Sequence, residues 1–151
     1  MSRPARIALI ACAVVLFALV SAGVARVLSA NSAERAEVER LVVAQAAGDA
    51  DRAVKSVPGC AADPRCVARM RAIVRRVASP GTVAILRLDA STTTSLAAHT
   101  GTARVAWKAG RALPVVQCVR VRRAGDVVSG FEVSLLRVSA PIARESSCPG
   151  R

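Results

Sequence analysis

An uncharged apolar run at residues 7–25, IALIACAVVLFALVSAGVA, constrains the fold of this chain more than any other stretch. The run has 19 residues, and Arg6 and Arg26 bracket it. As a helix it would be about 28 Å long, close to a hydrocarbon thickness of about 30 Å. Because the N-terminal flank is the more basic one, we predict a cytoplasmic N-terminus at residues 1–6 and a transmembrane signal anchor at residues 7–28.

The sequence of this run also allows two other interpretations. Small residues at positions 23–25, just before Arg26, suit a signal peptidase, and cleavage there would release a secreted protein. Residues 9–12, LIAC, resemble a lipoprotein signal, but only five residues separate Arg6 from Cys12. That spacing is too short for the apolar region of a signal peptide. Cys12 is therefore interpreted as a small apolar side chain.

Composition limits the partners of the remaining chain, which is long enough for one domain. Without Arg3 and Arg6, it carries 20 basic residues against 10 acidic ones. A basic domain outside the cytoplasm faces anionic lipid headgroups or anionic envelope polymer. Nucleic acid is not an expected partner, because only Trp107 and Phe131 could stack on bases beyond the apolar run.

The first half of the domain has a helical pattern. After a neck at residues 29–32, Asn31 and Glu34 form a predicted capping box for a helix that ends at Gly48. A second short helix is predicted at residues 50–57, before a Pro-Gly pair.

A third helix is predicted to begin at Pro64, behind the cap residue Asp63. Its apolar face carries Val67, Met70, Ile73, Val74 and Val77. Arginines surround the rest of this helix, and four of them are candidates for contact with an anionic surface: Arg69, Arg71, Arg75 and Arg76. The competing interpretation is a solvated face on a core helix.

From residue 82 the apolar period changes from helical to alternating. Strands are predicted at residues 82–89, 100–109, 115–123 and 127–139, with a tight turn at residues 124–126. In the first strand, Val83, Ile85 and Arg87 should share one face and Ala84, Leu86 and Leu88 the other. Gly130 is a candidate bulge. Two or three helices followed by a curved antiparallel sheet of about four strands predict an α+β domain at residues 33–141, with a tail at residues 142–151.

The helical part ends its first helix in AAGDADRA at residues 46–53, and a short helix and long antiparallel strands follow. Over residues 33–140 this pattern resembles the nuclear-transport-factor-like, or cystatin-like, cone. Membrane-anchored members of that class occur in actinobacteria, including the mammalian-cell-entry-associated proteins. The resemblance implies a pocket between helices and sheet. The loop from Cys60 to Cys66 and the arginine-rich helix are not part of the family pattern.

Catalytic chemistry has few candidates in this chain. Enzymes of the resembling fold place a His, Asp or Tyr in the pocket, but this chain has no Tyr and one His. His99 and Trp107 are the candidate pocket residues, and His99 with Asp89 is the one dyad that neighbouring strands could form. No phosphate loop, nucleophile elbow or paired-histidine motif is present in the sequence. We therefore predict a protein that is not an enzyme and uses no metal or cofactor.

Four cysteines follow the apolar run: Cys60, Cys66, Cys118 and Cys148. Their spacing lacks the close pairs of a structural zinc site, and an even count in an oxidising compartment favours two disulfides. Three pairings are formally possible. Cys60 and Cys66 bracket a proline-containing turn, so we predict Cys60–Cys66 and Cys118–Cys148, with Cys12 free.

These features predict a non-catalytic binding or scaffolding domain held at the outer face of the cytoplasmic membrane. Its ligand would be an apolar molecule, an anionic one such as anionic lipid or envelope polymer, or another envelope protein. Two other classes compete with this prediction: a small-molecule enzyme that uses His99, and an accessory subunit of an envelope transport assembly. The subunit would carry an exposed apolar patch on the sheet.

Overall fold

The fold packs one long helix and shorter helices against a single antiparallel sheet. The computed structural model describes residues 3–89, 99–126, 130–143 and 148, without some side chains inside its helices and strands. The elements are α1 (Arg3–Ala46), α2 (Ala50–Lys55), a 3₁₀ helix (Cys60–Ala62), α3 (Pro64–Val77), β1 (Val83–Asp89), β2 (His99–Ala109), β3 (Val115–Asp126) and β4 (Gly130–Val138). Helices followed by a four-stranded antiparallel sheet confirm the predicted α+β class.

Helix α1 is continuous over 44 residues and includes the predicted neck. Asn31 therefore lies inside the helix, and the prediction of a capping box with Glu34 is wrong, because helix-interior N–H groups already have partners. Among the described residues, no helix is both long enough and apolar enough to cross a membrane. Residues 7–28 are thus helical, as predicted, but this finding does not support the prediction that they span a membrane.

The ends of the shorter helices follow local sequence signals. The Asp49 carboxylate accepts a hydrogen bond from the Arg52 N–H at 2.8 Å, which begins α2. Asp63 accepts from the Arg65 N–H at 2.9 Å and is followed by Pro64 at the first helical position of α3, as predicted.

The sheet is a meander in the order β1-β2-β3-β4, so β1 and β4 are its edges. Pairing between β3 and β4 continues as far as Asp126 opposite Gly130. The predicted turn at residues 124–126 is therefore strand, and Gly130 is a paired residue and not a bulge. The connection at residues 127–129 lies outside the described residues.

Bulges do occur in both edge strands, at Leu86 and Leu136. The register shifts between Ile85 and Arg87 in β1, and β4 has a matching shift opposite Arg120 and Val121. Each bulge adds one exposed leucine and reverses the side-chain alternation after it. The predicted faces of β1 are wrong beyond this point, since Leu88 packs on the core and Arg87 is exposed.

The core lies between the helices and one face of the sheet, the inner face. Trp107, Leu41 and Leu135 are among its largest fully buried side chains. The predicted alternation in β2 is confirmed, because its buried side chains are Ala103, Val105, Trp107 and Ala109. The predicted apolar face of α3 is buried at Met70, Ile73, Val74 and Val77.

Two sets of contacts define opposite ends of the domain. At the near end, which is the end closer to the apolar run of α1, Arg123 of β3 contacts Glu34 of α1. At the far end, the Ser79 N–H donates to the Ala46 carbonyl at 3.0 Å, which places the end of α3 beside the end of α1. The turn after β2 joins the same end, because the Gly110 N–H donates to the Thr82 carbonyl at 3.0 Å. Strand β3 therefore runs back towards the start of the domain as α1 runs away from it.

Candidate functional site

Both predicted disulfides are present, and the pairing is the one that the spacing predicted. Cys60 and Cys66 are bonded with their Cα atoms 5.3 Å apart, and Cys118 and Cys148 are bonded at 5.6 Å. The first bond closes the turn before α3. The second holds the C-terminal tail against the outer face of β3. Cys12 is a free, exposed cysteine in α1.

The candidate dyad of His99 and Asp89 is not brought together by the strand register. Asp89 lies opposite Arg104, five positions along β2 from His99, which corresponds to about 17 Å of strand. The Asp89 carboxylate instead accepts from Arg87 at 2.8 Å. This hydrogen bond, and then the charge of Asp89, raise the pKa of the Arg87 guanidinium. The His99 side chain lies outside the described part of the structure.

Trp107, the second candidate pocket residue, is a core residue. It is 1% exposed, and its indole N–H donates to Gln117 Oε1 at 2.9 Å. The Gln117 amide in turn donates to the Ser139 carbonyl at 3.2 Å. This chain of bonds satisfies the buried polar groups and connects the sheet to the C-terminal tail. Trp107 is thus a packed residue of the described core, and its place in a ligand pocket stays a prediction.

The four candidate arginines of α3 are all exposed, but the structure divides them between two sides of the helix. Arg71 points to α2, where its guanidinium is 3.4 Å from the Asp51 carboxylate. Arg75 is one turn further on along that side. Arg69 instead lines a small cleft towards β4, and Arg76 shares its side of the helix by the helical repeat. The four residues therefore do not form one surface.

The cleft lies between α3 and the edge strand β4. Its volume is about 20 Å³, enough for about one water molecule. It is lined by Val57, Cys66, Arg69, Met70, Ile73, Arg137 and Val138. Arg137 also lies directly opposite Arg120 in the neighbouring strand. We call Arg69, Arg120 and Arg137 the β4-edge cluster. Arg120 and Arg137 were not candidates in the sequence. They lie opposite each other only because of the bulge at Leu136, which no local sequence signal predicts.

A buried ion pair joins α1 to the sheet at the near end. Arg123 Nε donates to Glu34 Oε2 at 3.0 Å, and its Nη2 donates to both Glu34 Oε2 and Asn31 Oδ1. The Glu34 side chain is fully buried and that of Arg123 is 12% exposed. A sequence signal for Glu34 exists: with Val38, Leu41 and Gln45 it repeats at helical spacing on the buried face of α1.

Gln45 is a second polar residue on that buried face. It is fully buried, and neither its amide nitrogen nor its amide oxygen has a hydrogen-bond partner among the described residues. Burying an amide without partners costs about 1–3 kcal/mol of stability. Gln45 is thus the least satisfied polar group of the described core.

An assembly subunit is expected to carry an exposed apolar patch on its sheet. Two large apolar side chains of the described strands are exposed, Leu86 at 51% and Leu136 at 38%. They lie on opposite edge strands with β2 and β3 between them, so these two do not form one patch. Leu113, in the turn before β3, is a third exposed leucine, at the far end.

The described residues contain no group of three or more His, Cys, Asp or Glu side chains that could hold a metal ion. Comparison of the whole chain found no matching family model, no matching curated protein and no matching solved structure. The resemblance to the cystatin-like cone therefore stays a prediction.

Proposed function

We propose that this protein is a single-pass membrane protein of the bacterial envelope, with a non-catalytic binding or scaffolding domain at the outer face of the cytoplasmic membrane. One observation carries the proposal: the apolar side chains in the first half of α1 are exposed in all directions. Leu16, Phe17 and Leu19 are each more than 60% exposed. Their positions lie on different sides of the helix, because successive residues turn by 100°.

A helix that is apolar all round needs a partner on every side, and a lipid bilayer supplies one. The proposal depends on the sequence of the complete uncharged run. The flanking charges favour an N-terminus inside the cell.

The binding role is supported by the exposed arginines of α3 and the sheet, whose charge suits an anionic partner. The enzyme alternative keeps His99 as its candidate, but it has lost its acidic partner to Arg87 and Arg104. The cleft between α3 and β4, at about 20 Å³, is too small to hold a small-molecule substrate. We therefore favour binding over catalysis.

The test is membrane insertion of the full-length protein in a bacterial host. Leu16 lies at the centre of the run, where an arginine costs about 2.5–3.5 kcal/mol of insertion free energy. We expect Leu16→Arg to shift the protein from the carbonate-resistant membrane fraction to the soluble fraction. Leu113→Arg is the matched control, because Leu113 is 80% exposed on the domain. It should leave the fractionation unchanged.

Protease added to intact spheroplasts should digest the wild-type domain and spare the N-terminal segment. A soluble wild-type species that begins near Arg26 would contradict the anchor and establish a cleaved signal peptide. Equal fractionation of Leu16→Arg and wild type would also contradict the proposal.

A further inference from the structure

Two arginines face each other across the outer edge of the sheet. Arg120 of β3 is the register partner of Arg137 of β4, and both side chains are exposed. Like charges directly opposite each other in neighbouring strands destabilise a sheet. Among the described residues, no carboxylate forms an ion pair with either guanidinium. The pair therefore carries repulsion that a bound anion would remove.

A third arginine reaches the same place from the helical layer. Arg69 of α3 lines the cleft that Arg137 also lines, so positive charge continues from the sheet around the β4 edge to the helix. The apolar floor of this cleft, at Ile73 and Val138, is a surface of low dielectric beside both arginines, and attraction between opposite charges is stronger there than in open water. An anion bound there would be held more strongly than on an open surface.

The basic surface extends beyond these three residues on both sides. Arg65 and Arg76 share the β4-facing side of α3 with Arg69, and the helix from residue 65 to residue 76 is about 16 Å long. On the sheet, Arg122 lies two residues beyond Arg120 on the same face. A row of positive charges of this length matches a chain of repeated negative charges better than it matches one small anion.

We propose that the β4-edge cluster binds a polyanionic chain of the envelope, such as a phosphodiester polymer, and not the headgroups of the membrane that holds the protein. Arginine suits this ligand because its planar guanidinium bonds two oxygens of a phosphate at once. The inference rests on the proposed function, because the choice between polymer and lipid depends on the anchor at residues 7–28.

The distance from the bilayer decides between the two ligands. From residue 28, the end of the predicted anchor, to Glu34 the continuous helix rises about 9 Å. Arg123 contacts Glu34, and Arg120 lies three residues further from the membrane along β3, which adds about 10 Å. Arg120 is then about 20 Å from the hydrocarbon. Lipid charges are screened within about 8 Å at physiological ionic strength, so this cluster lies beyond their reach.

The test uses the full-length protein in nanodiscs of neutral phosphatidylcholine, with long-chain inorganic polyphosphate as the probe. We expect salt-dependent binding that weakens at least tenfold in the triple variant Arg69→Gln/Arg120→Gln/Arg137→Gln. The matched control is Arg40→Gln/Arg52→Gln/Arg111→Gln, which removes the same net charge from exposed positions elsewhere. The control should lose less than threefold in affinity.

Equal losses in the two triple variants would overturn the proposal, since binding would then depend on net charge alone. A second arm replaces the neutral lipid with phosphatidylglycerol and omits polyphosphate. Protection of the β4-edge cluster from hydrogen exchange in that arm would also overturn it, by identifying lipid as the ligand. The triple variant should fractionate with membranes as wild type does. Loss of polymer binding can therefore be distinguished from failure of the membrane anchor.

Loss of binding through misfolding is separated by a melting experiment without polyphosphate. Removing one of two opposed arginines relieves repulsion, so Arg137→Gln should melt at the same temperature as wild type or slightly above it. Polyphosphate should raise the melting temperature of wild type more than that of Arg137→Gln. An equal rise in both proteins would contradict a site at this residue.

Discussion

The two halves of α1 belong to one helix and have opposite surroundings. In the first half Phe17 is 73% exposed, whereas Leu41 in the second half is fully buried. The first half is apolar on every side and has no protein surface against it in the described structure. The second half has one apolar face, which packs on α2, α3 and the sheet. A continuous helix therefore need not have the same environment along its length. The distribution of apolar residues around the helix indicates which environment each half has.

The change of surroundings occurs at a charged residue. Among the side chains of α1 that the structure describes, Glu34 is the first that is fully buried, and its carboxylate is held by Arg123. Asn31 lies one turn earlier and accepts a hydrogen bond from the same guanidinium at 3.0 Å. The domain is thus attached to its helix by polar contacts at the near end and by apolar packing beyond it.

The largest expected effect comes from removing the carboxylate at this junction. Glu34→Gln leaves the Arg123 guanidinium largely buried without its counter-charge, and breaking one partner of a buried ion pair costs about 3–5 kcal/mol. We expect a loss of that size in the free energy of unfolding, measured by denaturant titration of the full-length protein in detergent. Glu39→Gln, at an exposed position of the same helix, should change it by less than about 0.5 kcal/mol.

Replacing both partners gives a further check on this junction. In Glu34→Leu/Arg123→Met no charge is left unpaired, so most of the lost stability should return. If the double variant were as unstable as Glu34→Gln, packing at this position and not charge pairing would explain the loss.

A smaller effect of opposite sign is expected at Gln45, further along the same buried face of α1. Gln45 has no partner among the described residues, so Gln45→Leu should raise the free energy of unfolding by about 1–2 kcal/mol. Gln117 is the matched comparison, because it is equally buried but bonds both Trp107 and Ser139. Gln117→Leu should therefore lower the stability by about 1–3 kcal/mol. The same sign for both variants would mean that Gln45 has a polar partner in solution.

The order of elements, the cap of α3 and the Cys60–Cys66 disulfide could be predicted from the sequence, because each depends on residues close together in the chain. Asp63 before Pro64 is such a signal. Cys118 and Cys148 are 30 residues apart and followed as the remaining pair. The errors arise where distant residues decide. The Asn31–Glu34 spacing fits a helix start, but the carboxylate instead meets Arg123 across the fold. Alternation in β1 was misread after Leu86, because nothing local marks a bulge.

The candidate site was less predictable than the fold for the same reason. Four arginines of α3 look equivalent in the sequence, and their division depends on whether Asp51 or β4 lies beside each one. Arg137 faces Arg120 only because an extra residue in β4 shifts the register. Such cross-strand relations require the pairing itself, which a single sequence does not contain.

The smallest expected effect separates the two halves of α1 most directly. Leu28 is 60% exposed between the apolar run and the first buried residue. Leu28→Pro removes a helical hydrogen bond and kinks α1 there, at a local cost of about 3 kcal/mol to the helix. If the two halves of α1 are stabilised independently, this local cost should not lower the free energy of unfolding of the domain, whose described packing begins at Glu34. We expect the free energy of unfolding of the domain to change by less than about 0.5 kcal/mol, measured through Trp107 fluorescence, and the membrane fraction to stay unchanged. A loss above about 2 kcal/mol would show that the domain depends on an unbroken helix, and the two halves would then have to be treated as one cooperative unit.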